Sequence, residues 1–316
     1  MKKQALQLLG AAIFAVSAPV LAASALISPA ELKPLLSVPT VRVIDIRDPK
    51  SFAANHIPGA VNAPYGAWRG PASNPGALPP LPKLTQLVQS LGLTAQTHAV
   101  VVSSGQDATD FGASARVYWT LKVLGIKELS VLNGGVVAWT AAKLPQNTEI
   151  TKPTASDYQP KLDGSLIATK EEVVKHVSAG DSSLVDARPA PFYAGETRHQ
   201  AARTPGTLQG AVNLPFSKFF EGQSAQFVSV DKARQVALGS KLESDKITVS
   251  FCNTGHWAAT NWFAMSEVLG QKNVKLYPGS MVEWTADDSV LPMDNVPNRI
   301  AQLVIDAKLW SARTFK

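Results

Sequence analysis

Short β-branched runs alternate along this chain with longer stretches in which apolar residues recur at helical spacing. Residues 100–103 form one such run, and residues 113–124 the helical stretch that follows it. Strands alternating with helices in this way predict parallel strands joined by crossovers, hence an α/β fold in which a mainly parallel sheet is flanked by helices. The pattern occurs twice. Segment 43–47 (Val-Ile-Asp-Ile-Arg) returns at 184–188 (Leu-Val-Asp-Ala-Arg), and 58–62 returns at 209–213. Segment 98–104 matches 246–252, which sets Ser104 opposite Cys252, and 133–139 matches 278–284 through a glycine and a tryptophan. Four markers in one order indicate duplicated domains. The second helix, expected over 258–269, stops at Gly270 as its counterpart stops at Gly125, where a left-handed residue is cheap.

Breaks in the pattern set the boundaries. Residues 1–23 read as a leader, 24–145 as the first domain, 146–164 as a linker carrying Pro153, Pro160 and Gly164, 165–293 as the second domain and 294–316 as a tail. The stretch 64–82, rich in proline and glycine, is expected to be an ordered surface excursion without secondary structure.

Composition narrows the function. Of the 316 residues 45% are hydrophobic and 17% charged, enough for two modest cores. The formal charge is +6, or +4 once Lys2 and Lys3 leave with the leader. That is no nucleic-acid footprint. Those lysines, the apolar run 5–16 and the small residues of 17–25 read as a secretory signal, with the mature chain beginning near Ala23 or Ser24 and exported to the periplasm. Pro19 leaves the apolar run shorter than the roughly 20 residues that span a bilayer. The mature chain is therefore expected to have no membrane segment.

Cys252 is the sole cysteine, so no internal disulfide forms, and five histidines without metal-ligand spacing give no reason to expect a metal or another cofactor. The loop Cys252-Asn253-Thr254-Gly255-His256-Trp257 lies between an apolar strand ending at Phe251 and the helix expected from Ala258. That is the carboxyl end of a parallel strand, where open α/β sheets place their ligands. Successive N–H groups and a helix N-terminus there favour negative charge on the sulfur, and Gly255 permits the positive φ such a cradle needs.

With the Asp-x-Arg strand ends, the His56–Asn62 segment, the Gly-x-x-x-x-Trp closures at Gly134/Trp139 and Gly279/Trp284 and the Cys-x-x-Gly loop, the chain resembles the rhodanese sulfurtransferases in their tandem form. The resemblance implies a catalytically silent first domain and an active second one. It implies attack of the Cys252 thiolate on thiosulfate or a related anionic donor, a cysteine persulfide, and transfer of that sulfur to cyanide, a thiol or a sulfur-accepting protein. Asn253, Thr254, Gly255, His256 and Trp257 are then the substrate-binding loop.

Two positions depart from the family. Trp257 stands where many members carry a small hydroxyl residue or arginine, and Phe192 where larger members carry a second arginine. The donor anion still needs a cation. A ten-residue insertion between Asp186 and Asn213 brings Arg198, His199 and Arg203, and Arg198 is the expected donor ligand. Arg188 is counted with the substrate-binding residues, although its repetition as Arg47 fits a structural ion pair. A cysteine phosphatase on the same fold would need arginine six residues after the cysteine, and Ala258 stands there. The remaining alternative is a persulfide carrier or sulfur-binding module that serves a partner without free turnover.

Overall fold

The computed structural model describes residues 23–240, 242 and 246–314. All but the last residue of the leader segment lies outside them. The first half contributes β1 (Leu26–Ile27), β2 (Val41–Asp45), β3 (Val61–Asn62), β4 (His98–Val102) and β5 (Glu128–Leu132), which form one parallel sheet in the order β1-β5-β4-β2-β3. The second half contributes β6 (Ser182–Asp186), β7 (Thr207–Leu208), β8 (Val212–Asn213), β9 (Ile247–Phe251), β10 (Val274–Leu276) and β11 (Met293–Asp294). Its sheet is also parallel, ordered β10-β9-β6-β8, while β7 and β11 make a separate antiparallel ribbon. Leu276 bridges Ile167 in the place that β1 takes beside β5. The duplication read from the sequence is thus a duplication of sheet topology.

A parallel sheet covered on both faces needs apolar residues pointing both ways, which is why 99–102 read as an unbroken apolar run, all four buried. Val43, Val100 and Val102 pack on one face, Ile44, Ala99 and Val101 on the other. The second face belongs to a core shared by both halves, which includes Phe111, Tyr118 and Trp119 of the helix Ala108–Val123 and Trp262 and Phe263 of the second half. Phe263 meets Phe111 and Tyr118 edge-on, with ring centres 5.4 and 5.1 Å apart. Trp262 and Phe263 are therefore core rather than walls of a pocket.

Several sequence expectations are corrected. Asp45 pairs with Val102 and Asp186 with Phe251, so the counterpart of Cys252 is Ser103, one residue before the expected Ser104. The amide of Val136 donates to the Ser103 carbonyl as that of Met281 donates to Cys252. The two loops, 103–107 and 252–256, then have equal length. The helix expected from residue 113 starts at Ala108, because the Asp107 side chain caps it by accepting from the amides of Thr109 and Asp110. The helix expected over 258–269 is α-helical only over Trp257–Trp262 and then widens into a π-helix over Phe263–Val268.

The 64–82 stretch is no surface excursion. It contains a 3₁₀ turn, Tyr65–Trp68, anchored by the buried Trp68 indole on the Ala63 carbonyl, and it wedges against the second half: a Cβ on Gly76 would collide with the Pro278 carbonyl. The tail forms a helix, Arg299–Thr314. Residues 151–163 carry no regular structure and run along the first half, tied by Tyr158 to Leu124 and by Asp163 to Val123. Among the described residues no helix is long and apolar enough to cross a membrane.

Candidate active site

Cys252 follows β9 directly and is 1% exposed. The turn it begins is organised by Ser280, a residue the sequence reading passed over. The Ser280 hydroxyl accepts the amide protons of Cys252 (3.0 Å) and Gly255 (3.1 Å) and donates to the Tyr277 carbonyl (2.9 Å). Its backbone is left-handed, φ +53°, where a non-glycine residue is strained. The equivalent position in the first half is Gly135, φ +55°. A serine in a glycine's conformation, visible in the aligned 133–139 and 278–284 segments, was the signal available.

The remaining amides of the loop are open. Those of Asn253, Thr254, His256, Trp257 and Ala258 donate to no group among the described residues. In the first half the corresponding turn is filled by its own carboxylates. Asp110 accepts from the Gln106 amide (2.9 Å) and the Ser104 hydroxyl, and Asp107 accepts from the amides of Thr109 and Asp110. By register, His256 and Ala259 replace these two aspartates in the second half. The first-half turn thus carries internal carboxylates that the second-half turn lacks.

Three first-half side chains close over the loop. Arg69 donates from Nη2 to the Thr254 carbonyl (2.8 Å) and lies over the Tyr65 ring at 5.2 Å, while its Nη1 is buried without a partner. The Tyr65 hydroxyl donates to His256 Nδ1 (2.7 Å), whose Nε2–H donates to the Thr109 carbonyl (2.9 Å). The imidazole is neutral in this arrangement: loss of water contact, with Arg69 nearby, pushes its pKa down to about 3. His256, expected among the substrate-binding residues, instead has both ring nitrogens engaged in tying the loop to the first half. Arg116 donates from Nη1 to the Gly255 carbonyl (3.3 Å) and from Nη2 to that of Gly76 (2.7 Å). Gly255 has φ +65°, and a Cβ there would lie 2.5 Å from both Arg116 Nη1 and the Pro278 oxygen.

The second-half residues divide. Arg188 is fully buried, chelates Asp186 through Nε and Nη2 (2.5–3.0 Å), and reaches Asn253 Oδ1 at 3.4 Å. It braces the loop from behind, as Arg47 pairs with Asp45 in the first half. Arg198 is committed elsewhere. Its guanidinium binds Asp306 of the C-terminal helix (2.8 Å) and the carbonyls of His199, Gln200 and Ala202, so the insertion is clasped to that helix and brings no Arg198 contact to the loop. Trp257 stacks on Phe216 at 5.0 Å and meets Phe192 edge-on at 5.9 Å. The two positions that depart from the family pattern therefore fill each other.

Residues 28–142 and 169–287 each match the rhodanese-like domain family, and the chain belongs to that family in its tandem form. It is 31% identical over 260 residues to a thiosulfate sulfurtransferase of Azotobacter vinelandii, spanning 82% of this chain and 93% of that one. Identity to a thiosulfate sulfurtransferase of Gallus gallus is 31% over 236 residues, 74% and 80% of the two chains. In fold it is similar to the 3-mercaptopyruvate sulfotransferase SseA of Escherichia coli, with TM-score 0.71, 22% identity, and coverage of 81% and 98%.

Proposed function

We propose that the protein is a sulfurtransferase working through a Cys252 persulfide. The observation that carries this reading is Cys252 at the end of β9, beginning a turn in which the amides of Asn253, Thr254, His256, Trp257 and Ala258 donate to no group among the described residues. The Cys252 thiolate attacks the outer sulfur of thiosulfate; a sulfur–sulfur bond forms, the bond to the sulfonate sulfur breaks, and sulfite leaves with its electron pair. An acceptor nucleophile, cyanide or a thiolate, then takes the outer sulfur and the Cys252 thiolate returns. No proton base is needed at the attacking sulfur, consistent with a neutral, fully hydrogen-bonded His256.

The donor anion is held by the open amides and by Arg69, whose buried Nη1 has no other partner. The first half is silent in this reading because Ser103 replaces the nucleophile and its cradle is occupied. Lys2, Lys3 and the apolar run that follows support export to the periplasm. N-terminal sequencing of the mature protein tests that point, and a chain still beginning at Met1 contradicts it. Turnover with thiosulfate and cyanide tests the enzyme reading: continuous thiocyanate release supports it, whereas one round of loading followed by a stall marks a carrier.

A further inference from the structure

Two side chains of the C-terminal helix, Arg299–Thr314, face the rest of the protein: Ile305 is buried, and the Asp306 carboxylate accepts from Arg198 Nη2 at 2.8 Å. Asn298 closes the first turn, its Oδ1 accepting the Ala301 amide at 3.0 Å. Successive helical residues turn by about 100°, which puts Ile300, Leu303, Val304, Ala307 and Trp310 on one stripe and Ile305 on the opposite side. Thirteen large hydrophobic side chains are exposed among the described residues, and four of them, Ile300, Leu303, Val304 and Trp310, belong to this stripe at 49–76% exposure. Single exposed apolar residues are ordinary on a protein surface, whereas a row of them along one helix face marks a surface that something covers.

Charge says what covers it. Arg299 flanks the stripe on one edge and Lys308 on the other; both are exposed, and among the described residues neither makes an ion pair. The one acid of the helix, Asp306, is neutralised by Arg198. Cations on both sides of an apolar strip, with a tryptophan at its margin, complement a surface that offers hydrocarbon beneath and negative charge on either side. A groove in a protein partner would need acids placed along both walls, whereas an anionic bilayer supplies them at every orientation.

We propose that this helix docks the protein on an anionic lipid surface, lying in the plane of the headgroups with Ile300, Leu303, Val304 and Trp310 inserted. Sixteen residues with a cation on each edge of the apolar strip lie on such a surface and do not cross it. The second-half insertion gains a role from this arrangement, because Arg198, by holding Asp306, fixes the direction in which the stripe faces. The proposal depends neither on sulfur transfer nor on export.

Hydrogen exchange of residues 299–314 is followed in the full chain, without vesicles and with vesicles of phosphatidylcholine alone or of phosphatidylcholine with about one third phosphatidylglycerol. The readout is confined to the helix, so contact of residues 1–22 with lipid does not register in it. The mixed vesicles should slow exchange there about tenfold or more, and phosphatidylcholine alone should slow it little. Leu303→Gln with Trp310→Gln should abolish the slowing. Arg299→Gln with Lys308→Gln should reduce it to less than half, as should raising salt from about 0.05 to about 0.5 M. All four positions are exposed, and melting temperatures establish that the variants fold as the unaltered chain does. Exchange left unchanged by the mixed vesicles overturns the proposal, as does slowing that survives the paired Leu303→Gln and Trp310→Gln substitutions, or slowing as large on phosphatidylcholine alone. Sedimentation velocity tests the competing occupant: a dimer that the same pair of substitutions dissolves, with no effect of vesicles on exchange, assigns the stripe to a second copy of the chain and overturns the lipid assignment.

Discussion

Ser280 gives its hydroxyl oxygen to the amide of Cys252 at 3.0 Å, from a left-handed backbone that its first-half counterpart assigns to glycine. The strained backbone and the hydrogen bonds occur at one residue, whose single oxygen accepts from both Cys252 and Gly255. Two substitutions separate them. Ser280→Ala keeps the strain and strands two buried amides, and should lower unfolding free energy by about 1–3 kcal/mol or more. Ser280→Gly relieves the strain, so its urea midpoint should lie above that of Ser280→Ala, while both load sulfur more slowly than the unaltered chain. Equal midpoints would remove strain from this account.

Gly255→Ala should be worse for the loop than either. The left-handed conformation alone costs a non-glycine residue about 1–2 kcal/mol, and the new methyl meets Arg116 and the Pro278 carbonyl. A denaturation midpoint within error of the unaltered chain, with full activity, contradicts the described packing.

The donor anion site is tested by a crossed pair. Arg69→Ala should raise the donor KM roughly tenfold or more, since a charge-assisted contact contributes about 1.5–3 kcal/mol. Arg198→Ala should leave the donor KM unchanged and loosen the C-terminal helix, read as faster proteolysis of residues 299–314, because its guanidinium holds Asp306. The reverse outcome in steady-state kinetics would return the anion site to the insertion.

His256 predicts a stability change with pH. Its folded pKa is pushed down to about 3, below the unfolded value of about 6.5, so the unfolded chain binds more protons between those limits. Stability from this group is complete above about pH 6.5 and falls as pH drops toward 3, by at most about 1.4 kcal/mol per pH unit and by less because the ring is partly open to water. His256→Gln should flatten the fall in melting temperature between about pH 6.5 and 4.5. An unchanged slope contradicts the Tyr65–His256–Thr109 arrangement.

The fold was legible because period and repetition are properties of the sequence. The alternation of strands and helices and the four repeated markers give two mainly parallel sheets flanked by helices; the strand order came from the structure. Cys252 was legible from its place at a strand end before a glycine turn. Ser103 was not, because two apolar runs slide by one residue without changing their pattern, and only the pairing of Asp45 with Val102 sets the register. Arg69 was named only as a fallback for the anion site behind Arg198, and Tyr65 and Arg116 not at all, because contacts across more than 130 residues leave no local spacing. Arg198 misled for the opposite reason. An insertion in one copy and not the other points to selectivity, but this one is clasped to a helix that periodicity had not marked.

The central claim is that sulfur resides on Cys252. Intact-mass measurement of the full chain after incubation with thiosulfate, before and after cyanide, tests it most directly. The account predicts a gain of one sulfur atom's mass that cyanide removes, with no gain in Cys252→Ser, whose melting curve stays close to that of the unaltered chain. A sulfur adduct on folded Cys252→Ser, or none on the unaltered chain with any sulfane donor, would contradict it.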